Sequence, residues 1–340
     1  MRKVLLTWQA TAEEIGRVRQ ALPAGTEIAA QRIAPTLSRF DATYASLADD
    51  ARDADAVMGW VLPPGILEIA RKLKLISWLH AGCDELDFPA LKRRGIRVTN
   101  LRGANSTAVV EHAMALLLGC AKRLIMKHRA VVEGTSLPLY QDGIQGLMLE
   151  GRTLLVVGLG QIGSGIAKRA KAFDMKVIGI RRNPERGGAH VDSIHGPGEL
   201  RPLLAVADYV VLALPLTGES DQFLGEAEIA AMQSHAFLIN IARGNLVQEL
   251  PLFQALQEGR IAGYAADVWW NYTNSFPATY HFPVPSRTGL HKLPGVLASG
   301  DQAANVEGMA KRNIDRGIQA LVEFAGGKPL TGEIDLDLGY

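Results

Sequence analysis

Cysteine is nearly missing from this 340-residue chain: Cys83 and Cys120 are the only two. So sparse a supply excludes a disulfide framework and fits a reducing compartment, so the expected location is the cytoplasm. An excess of one charge is missing too. The 36 Lys and Arg nearly cancel the 35 Asp and Glu, leaving +1. That balance gives no electrostatic footprint for nucleic acid. No apolar run is long and clean enough to span a bilayer. The best candidate, "STAVVEHAMALLLGCAKR", is broken by Glu111 and His112 and reads as a buried helix. The eight histidines are scattered, with no Cys or His pair at ligand spacing, so no metal site is expected. A Gly-x-Ser-x-Gly nucleophile motif is lacking, which argues against acyl transfer. Solenoid repeats and low-complexity tracts are lacking as well.

What is present is alternation. The opening "MRKVLLTW" reads as a first strand rather than a leader. It is followed by "AVMGWV", "LKLISWLH" and "IRVTN", with segments of helical spacing such as "TAEEIGRVRQAL" between them. A second set runs "RTLLVVG", "KVIGI", "YVVLAL", "AFLINI", "AGYAADV" and "GVLAS". A long helix from about Ser106 to Lys122 and a loop to about Gly151 separate the two sets. After Asp301 the spacing turns helical again, ending at Gly326-Gly327. The rhythm predicts an α/β protein of two Rossmann-like, doubly wound parallel sheets with a cleft between domains. The expected division is a substrate domain of residues 1–105 and 302–340, with a dinucleotide-binding domain of residues 106–301 inserted between.

One stretch carries a mechanism of its own. In "LLVVGLGQIGSGIAKRAKAFDMKVIGIRRNP" an apolar strand leads into Gly158, Gly160 and Gly163 at the head of a helix. The first glycine permits the turn, the second lets backbone approach a pyrophosphate, and the third lets helix pack on strand. Gln161 and Ile162, at the helix start, offer N–H groups to the anion. The next strand ends in Arg181, Arg182 and Asn183, where NAD sites place a carboxylate. A guanidinium pairs with a 2′-phosphate and a carboxylate repels it, so the preferred cofactor is NADP, with NAD the alternative.

These features together resemble the D-isomer-specific 2-hydroxyacid dehydrogenase family. "HAGCDELDFPALKRRGIRVTN", "NSTAVVEHAMALLLGCAKR", "LEGRTLLVVGLGQIGSGIA", "LALPLT" and "LINIARGNLVQELPLFQALQEGRIAGYAADV" carry the resemblance, which spans nearly the whole chain. It implies hydride transfer between a nicotinamide and a small anionic 2-oxo or 2-hydroxy acid. It also implies a homodimer joined through the long helices and the region after Lys122. By the same resemblance, Arg243 holds and polarises the substrate, and the N–H groups of Ala81 and Gly82 cradle its carboxylate. Pro215 and Thr217 lie beside the adenosine, Ile241 and Ala242 precede the arginine along the cofactor, and Asp267 faces the nicotinamide carboxamide. Glu111 and His112 match the interdomain helix, where polar contacts without chemistry are expected.

The resemblance breaks where the family places a histidine acid/base and its glutamate. In "GVLASGDQAA" the histidine position holds Asp301, after Gly300, and the glutamate position falls at about Tyr272. Asp301 and Tyr272 are therefore the candidate replacements, with His80, next to the carboxylate cradle, as another. His281 and His291 lie in an aromatic stretch with Trp269, Trp270, Phe276, Tyr280 and Phe282, which reads as a pocket wall or a packed loop. An unperturbed aspartate is ionised at neutral pH. As an anion Asp301 would favour a cationic imine over a forming alkoxide; its other use is as N-cap of a helix over "QAANVEGM". The competing expectation is a non-catalytic NAD(P)-binding sensor or scaffold on the same fold.

Overall fold

The computed structural model describes residues 1–31, 39–83, 85–270 and 285–338. The chain divides into two compact units. One takes its described residues from Met1–Asn105 and Glu307–Tyr340, the other from Ser106–Tyr272 and Val284–Val306.

The first unit is a five-stranded parallel sheet. Its strands are β1 (Lys3–Leu6), β2 (Glu27–Ala30), β3 (Ala56–Gly59), β4 (Leu75–Trp78) and β5 (Arg97–Thr99), in the order β2-β1-β3-β4-β5. Helices α1 (Ala12–Ala21), α2 (Tyr44–Ala51), α3 (Ile66–Ile69) and α4 (Phe88–Arg93) connect them. Both faces are buried, which is why the strands read as unbroken apolar runs. Leu5, Val57 and Ile76 pack on one side; Val4, Leu6, Met58 and Leu75 pack on the other. α1 begins where Thr11 and Glu14 form a capping box. Burial alone would raise the Glu14 carboxyl, but Arg39, the Thr11 N–H and Trp8 Nε1 outweigh it and hold it down to about 2.

The second unit opens with α5 (Ser106–Ala121) and α6 (Leu124–Val132). The sequence reads the stretch up to Gly151 as loop; α6 corrects that. Its seven parallel strands are β6 (Thr153–Val157), β7 (Lys176–Ile180), β8 (Ser193–His195), β9 (Tyr209–Leu212), β10 (Phe237–Asn240), β11 (Gly263–Ala266) and β12 (Val296–Ala298). They are ordered β12-β11-β10-β9-β6-β7-β8. α7 (Gln161–Lys171), α8 (Leu200–Leu204), α9 (Glu226–Ala231) and α10 (Glu249–Gln257) lie between strands. β6 shows the double burial: Leu154 and Val156 join one core, Leu155 and Val157 the other. The connections from β6 to β7 and from β8 to β9 run to opposite sides of β6. That reversal is the topological switch point of such sheets.

α11 (Met309–Ala325) returns to the first unit. It packs so closely that a Cβ on Gly317 would lie 2.6 Å from Leu79 Cδ2 and 2.7 Å from Met58 Sδ. The helix expected directly after Asp301 starts only at Met309, capped by Gly308 at φ +76°. Asp301 is not its N-cap. Both cysteines are buried and neither is in a disulfide, and burial pushes the Cys120 thiol up to about 12, which makes it unreactive. Among the described residues no helix is long and apolar enough to cross a membrane, and no group of His, Cys, Asp or Glu could hold a metal ion.

Candidate active site

The glycine loop at the end of β6 shows three different uses of glycine. Gly158 has φ +103°, and a Cβ there would lie 2.5 Å from the Ala213 carbonyl oxygen. A Cβ on Gly163 would lie 1.9 Å from the Gly158 oxygen. Both are glycines for reasons internal to the protein. Gly160 is different: a Cβ there would meet nothing within 4 Å. It caps α7 with no side chain over the first-turn N–H groups, so bare backbone donors stand at an open helix start. This set of donors fits a pyrophosphate. Alanine at 160 is expected to leave the melting temperature within about 1 °C, since the space is open. It should weaken dinucleotide binding by about tenfold or more by blocking the close approach. Equal cofactor affinity in a fluorescence titration would contradict this.

Arg181 and Arg182 part company after β7. Arg181 Nη1 donates to the Gly187 carbonyl at 2.5 Å, closing the loop that follows. Arg182 Nη2 pairs with Glu219 Oε2 at 2.9 Å. The Asn183 carbonyl closes the next turn by accepting from Arg186 N–H. After β9, Ser220 Oγ donates to the Pro215 carbonyl and accepts from the Thr217 N–H, both at 2.8 Å.

Arg243 follows β10 on a turn locked by a fully buried amide that the sequence reading missed. Asn240 Oδ1 accepts from Ala242 N–H at 3.1 Å, and Asn240 Nδ2 donates to the Arg243 carbonyl at 2.8 Å. Ile241 and Ala242 are buried in that turn. Gly244 is obligatory, since a Cβ would stand 2.3 Å from the Trp269 carbonyl carbon. The sequence signal for Asn240 was present in "LINIARG": a polar residue closing an otherwise apolar strand.

Asp267 directly follows β11 and is only 2% exposed. Its carboxylate accepts from Ser299 Oγ at 2.7 Å, Gln302 N–H at 3.0 Å and Ala303 N–H at 2.9 Å, and its carbonyl accepts from Asp301 N–H at 2.8 Å. This aspartate thus fixes the turn that carries Asp301. His112, from α5, donates from Nε2 to Ser299 Oγ at 2.8 Å and lies 3.5 Å from Asp267 Oδ1. Ser299 and His112 are members of the site that motif reading did not assign to it. Glu111 is mostly exposed and pairs at 3.6 Å with Arg169.

Asp301 itself adopts φ +53°, a left-handed conformation that aspartate and asparagine tolerate. It presents surface to solvent. The protein mass around it, and then the Asp267 carboxylate, push its carboxyl above the usual range; the Arg243 guanidinium opposes them. The ends of β10, β11 and β12 thus bring Arg243, Asp267 and Asp301 together.

Tyr272, His281, Phe276, Tyr280 and Phe282 lie outside the described residues. Trp269 and Trp270 are not free wall elements. Their indole N–H groups donate to the carbonyls of Ser299 and Val247, each at 2.7 Å, and Trp269 is 3% exposed. The His291 ring stands edge-on to Trp269.

In the first unit, His80 Nε2 donates to the Trp60 carbonyl at 3.0 Å. The carbonyls of His80, Ala81 and Gly82 all point into protein. They accept from Leu101 N–H at 2.9 Å, Asn100 Nδ2 at 2.8 Å and Trp78 Nε1 at 2.9 Å. The N–H groups of Ala81 and Gly82 donate to no acceptor among the described residues.

A family model described as "D-isomer specific 2-hydroxyacid dehydrogenase, NAD binding domain" matches residues 114–300. The chain belongs to that family. It is an NAD(P)-binding oxidoreductase of the 2-hydroxyacid dehydrogenase kind. It is 31% identical to a glyoxylate reductase of Korarchaeum cryptofilum, over 82% of this chain and 81% of that one. It is 34% identical to a D-3-phosphoglycerate dehydrogenase of Methanocaldococcus jannaschii over 78% of this chain, but spans about half (48%) of that relative. Among solved structures, an acyclic imino acid reductase in complex with NADPH and D-Arg superposes with a TM-score of 0.79 at 21% identity, covering 98% of this chain and 100% of that one. At that identity the likeness is one of fold.

Proposed function

We propose that the protein reduces a small anionic 2-oxo acid with NADPH, using Asp301 in place of the family's histidine. The observation that carries this reading is the grouping of Arg243, Asp267 and Asp301 at the carboxyl edge of the seven-stranded sheet. The Asp267 carboxylate accepts from two backbone N–H groups and a hydroxyl. A second carboxyl near that one is harder to ionise, as in sites where two carboxyls share a neighbourhood. The raised Asp301 carboxyl follows that logic. The sequence alone has Asp301 ionised and suited to an imine; the surrounding protein, and after it the Asp267 carboxylate, raise the carboxyl and favour an acid that protonates a forming alkoxide. Arg243 binds the substrate carboxylate and polarises its carbonyl. A bound nicotinamide supplies the hydride.

The same reading makes the unit carrying β6–β12 the cofactor domain and the unit carrying β1–β5 the substrate domain. Ala81 and Gly82 supply an anion-binding N–H pair, and His80 is a structural neighbour of it, tied to Trp60. NADP is the preferred cofactor, supported by two cations and no carboxylate at the end of β7. Two buried cysteines outside any disulfide support a cytoplasmic enzyme. NADPH oxidation against a panel of 2-oxo acids and imines tests the chemistry. Turnover of imines alone would return Asp301 to the anionic role. Tight NADPH binding with no turnover would favour a sensor.

A homodimer is part of the reading. Leu124, Val131, Val132, Leu139, Tyr140 and Met148, along α6 and the segment after it, are apolar and exposed. So much exposed apolar surface is what a second copy covers. Val131 and Val132, 80% and 70% exposed, are the sites to change. The V131E/V132E double variant is expected to sediment as a folded monomer at micromolar concentration where the parent sediments as a dimer. A variant that stayed dimeric would place the interface elsewhere.

A further inference from the structure

Arg182 and Glu219 face each other across the carboxyl edge of the seven-stranded sheet. Arg182 follows β7 and Glu219 follows β9, while β6, with its glycine loop, lies between those strands. Their 2.9 Å ion pair therefore spans the switch point, the crevice where such sheets take a dinucleotide. Two further facts define what the pair can do. The turn bearing Glu219 is rigid. Ser220, 9% exposed, is bonded on both sides of its hydroxyl, and the N–H groups of Ser220 and Asp221 donate to the Thr217 carbonyl at 3.1 and 2.9 Å. The Glu219 side chain can therefore leave Arg182 without the turn giving way. The ion pair itself is solvent-exposed, with side chains 54% and 82% accessible, so it is screened and readily exchanged. Arg181, turned toward Gly187, does not share Glu219.

We propose that Glu219 is a built-in competitor for the adenosine 2′-phosphate: it occupies Arg182 when no phosphate is present and so sets the ratio of NADPH to NADH affinity. The proposal rests on the reading that a dinucleotide lies on the Gly158–Gly163 loop. A 2′-phosphate is a dianion near neutral pH, with three acceptor oxygens. To pair with Arg182 it must displace the Glu219 carboxylate, which then remains nearby as a like charge. A ribose 2′-hydroxyl makes no such demand, because a hydroxyl donates to a carboxylate as readily as it accepts from a guanidinium. Glu219 therefore lowers affinity for NADPH and leaves NADH nearly untouched. It narrows a preference that Arg182 alone would make steep.

The test is calorimetric and needs no turnover. The whole protein, E219Q, R182Q and the double variant are titrated with 2′,5′-ADP, 5′-ADP, NADPH and NADH. Glu219 is exposed, so E219Q folds as the parent does, which a melting curve verifies. The expected result is that E219Q binds 2′,5′-ADP and NADPH about 3- to 10-fold more tightly, with 5′-ADP and NADH within twofold. R182Q abolishes the discrimination, and adding E219Q to it changes nothing. Unchanged affinities in E219Q overturn the proposal. Weaker binding of both dinucleotides also overturns it, since the pair would then be a clasp over the adenosine. Should the parent bind 2′,5′-ADP no better than 5′-ADP, the NADP reading itself falls. Should it bind neither, the dinucleotide reading falls too.

Discussion

Asparagine at position 301 is expected to lower the rate of 2-oxo acid reduction by about 10²- to 10⁴-fold, the usual contribution of a positioned proton donor. The substitution is nearly isosteric, and asparagine accepts the φ of +53° that Asp301 adopts. The loss is therefore chemical and not a distortion of the turn. Substrate KM should move little, because the carboxylate is held by other groups. For the parent, kcat/KM for reduction should fall as pH rises through the elevated Asp301 range, since only the protonated acid can donate. A stability signature accompanies this. A raised carboxyl means that the folded protein holds that proton more tightly than the unfolded chain does. Its ionisation thus destabilises the fold at pH above the raised range and has no effect below about pH 3, where both states are protonated. D301N removes that cost. Because Asp301 is solvent-exposed the gain is small: a rise in melting temperature of about 1–3 °C at pH 7 that vanishes near pH 3. A variant that is slower but gains no stability at neutral pH would show that the Asp301 carboxyl is not raised in the folded protein.

Arg243→Ala should cost about 10²- to 10³-fold in kcat/KM, the equivalent of about 3–4 kcal/mol for two charged hydrogen bonds to a carboxylate. Cofactor affinity should stay within about threefold, because the pyrophosphate donors lie on the loop after β6 and not after β10. Lysine at 243 restores the charge without the planar fork and should recover only part of the loss. The alanine variant has a second readout. The Arg243 cation pulls the Asp301 carboxyl down, so its removal should move the residual pH profile upward, extending reduction to higher pH. A collapse of NADPH binding in a folded R243A protein would place the arginine in the cofactor site.

Much of the architecture was legible because parallel strands buried on both faces write themselves as apolar runs. β1, β6, β9 and β10 are of that kind, each buried at every described position but one or none. The two strands missed, β2 and β8, are edge strands of intermediate burial whose sequences, "EIAA" and "SIH", carry no such signal. α6 reads as loop in the sequence because its apolar residues face outward and no core-facing stripe announces it. The start of α11 was misplaced because the turns before it hold apolar residues at helical spacing, while the boundary is set by the backbone of Gly308. The candidate site has its motifs in the sequence but not the wiring between them. Asp267 meets Ser299, Gln302 and Ala303 across 32–36 residues, two of them through backbone N–H groups that carry no sequence identity. His112 meets Ser299 across 187 residues. Glu219, in an unremarked turn, meets Arg182 across 37.

The placement of α11 has a consequence for how the chain is made. The face of the first sheet formed by Val4, Leu6, Met58 and Leu75 is covered in part by Ile314 and Leu321 of that helix. A ribosome adding about 5–20 residues per second therefore leaves this face without its cover for tens of seconds after β4 has emerged. The second unit, synthesised in between, has all its strands available before α11 appears. It can finish folding first, while the N-terminal sheet waits as an incomplete and adhesive intermediate. Joining the native ends and reopening the chain before residue 106 would put β1–β5 directly after α11 in order of synthesis. Such a permuted chain should fold with less dependence on chaperones than the natural order requires.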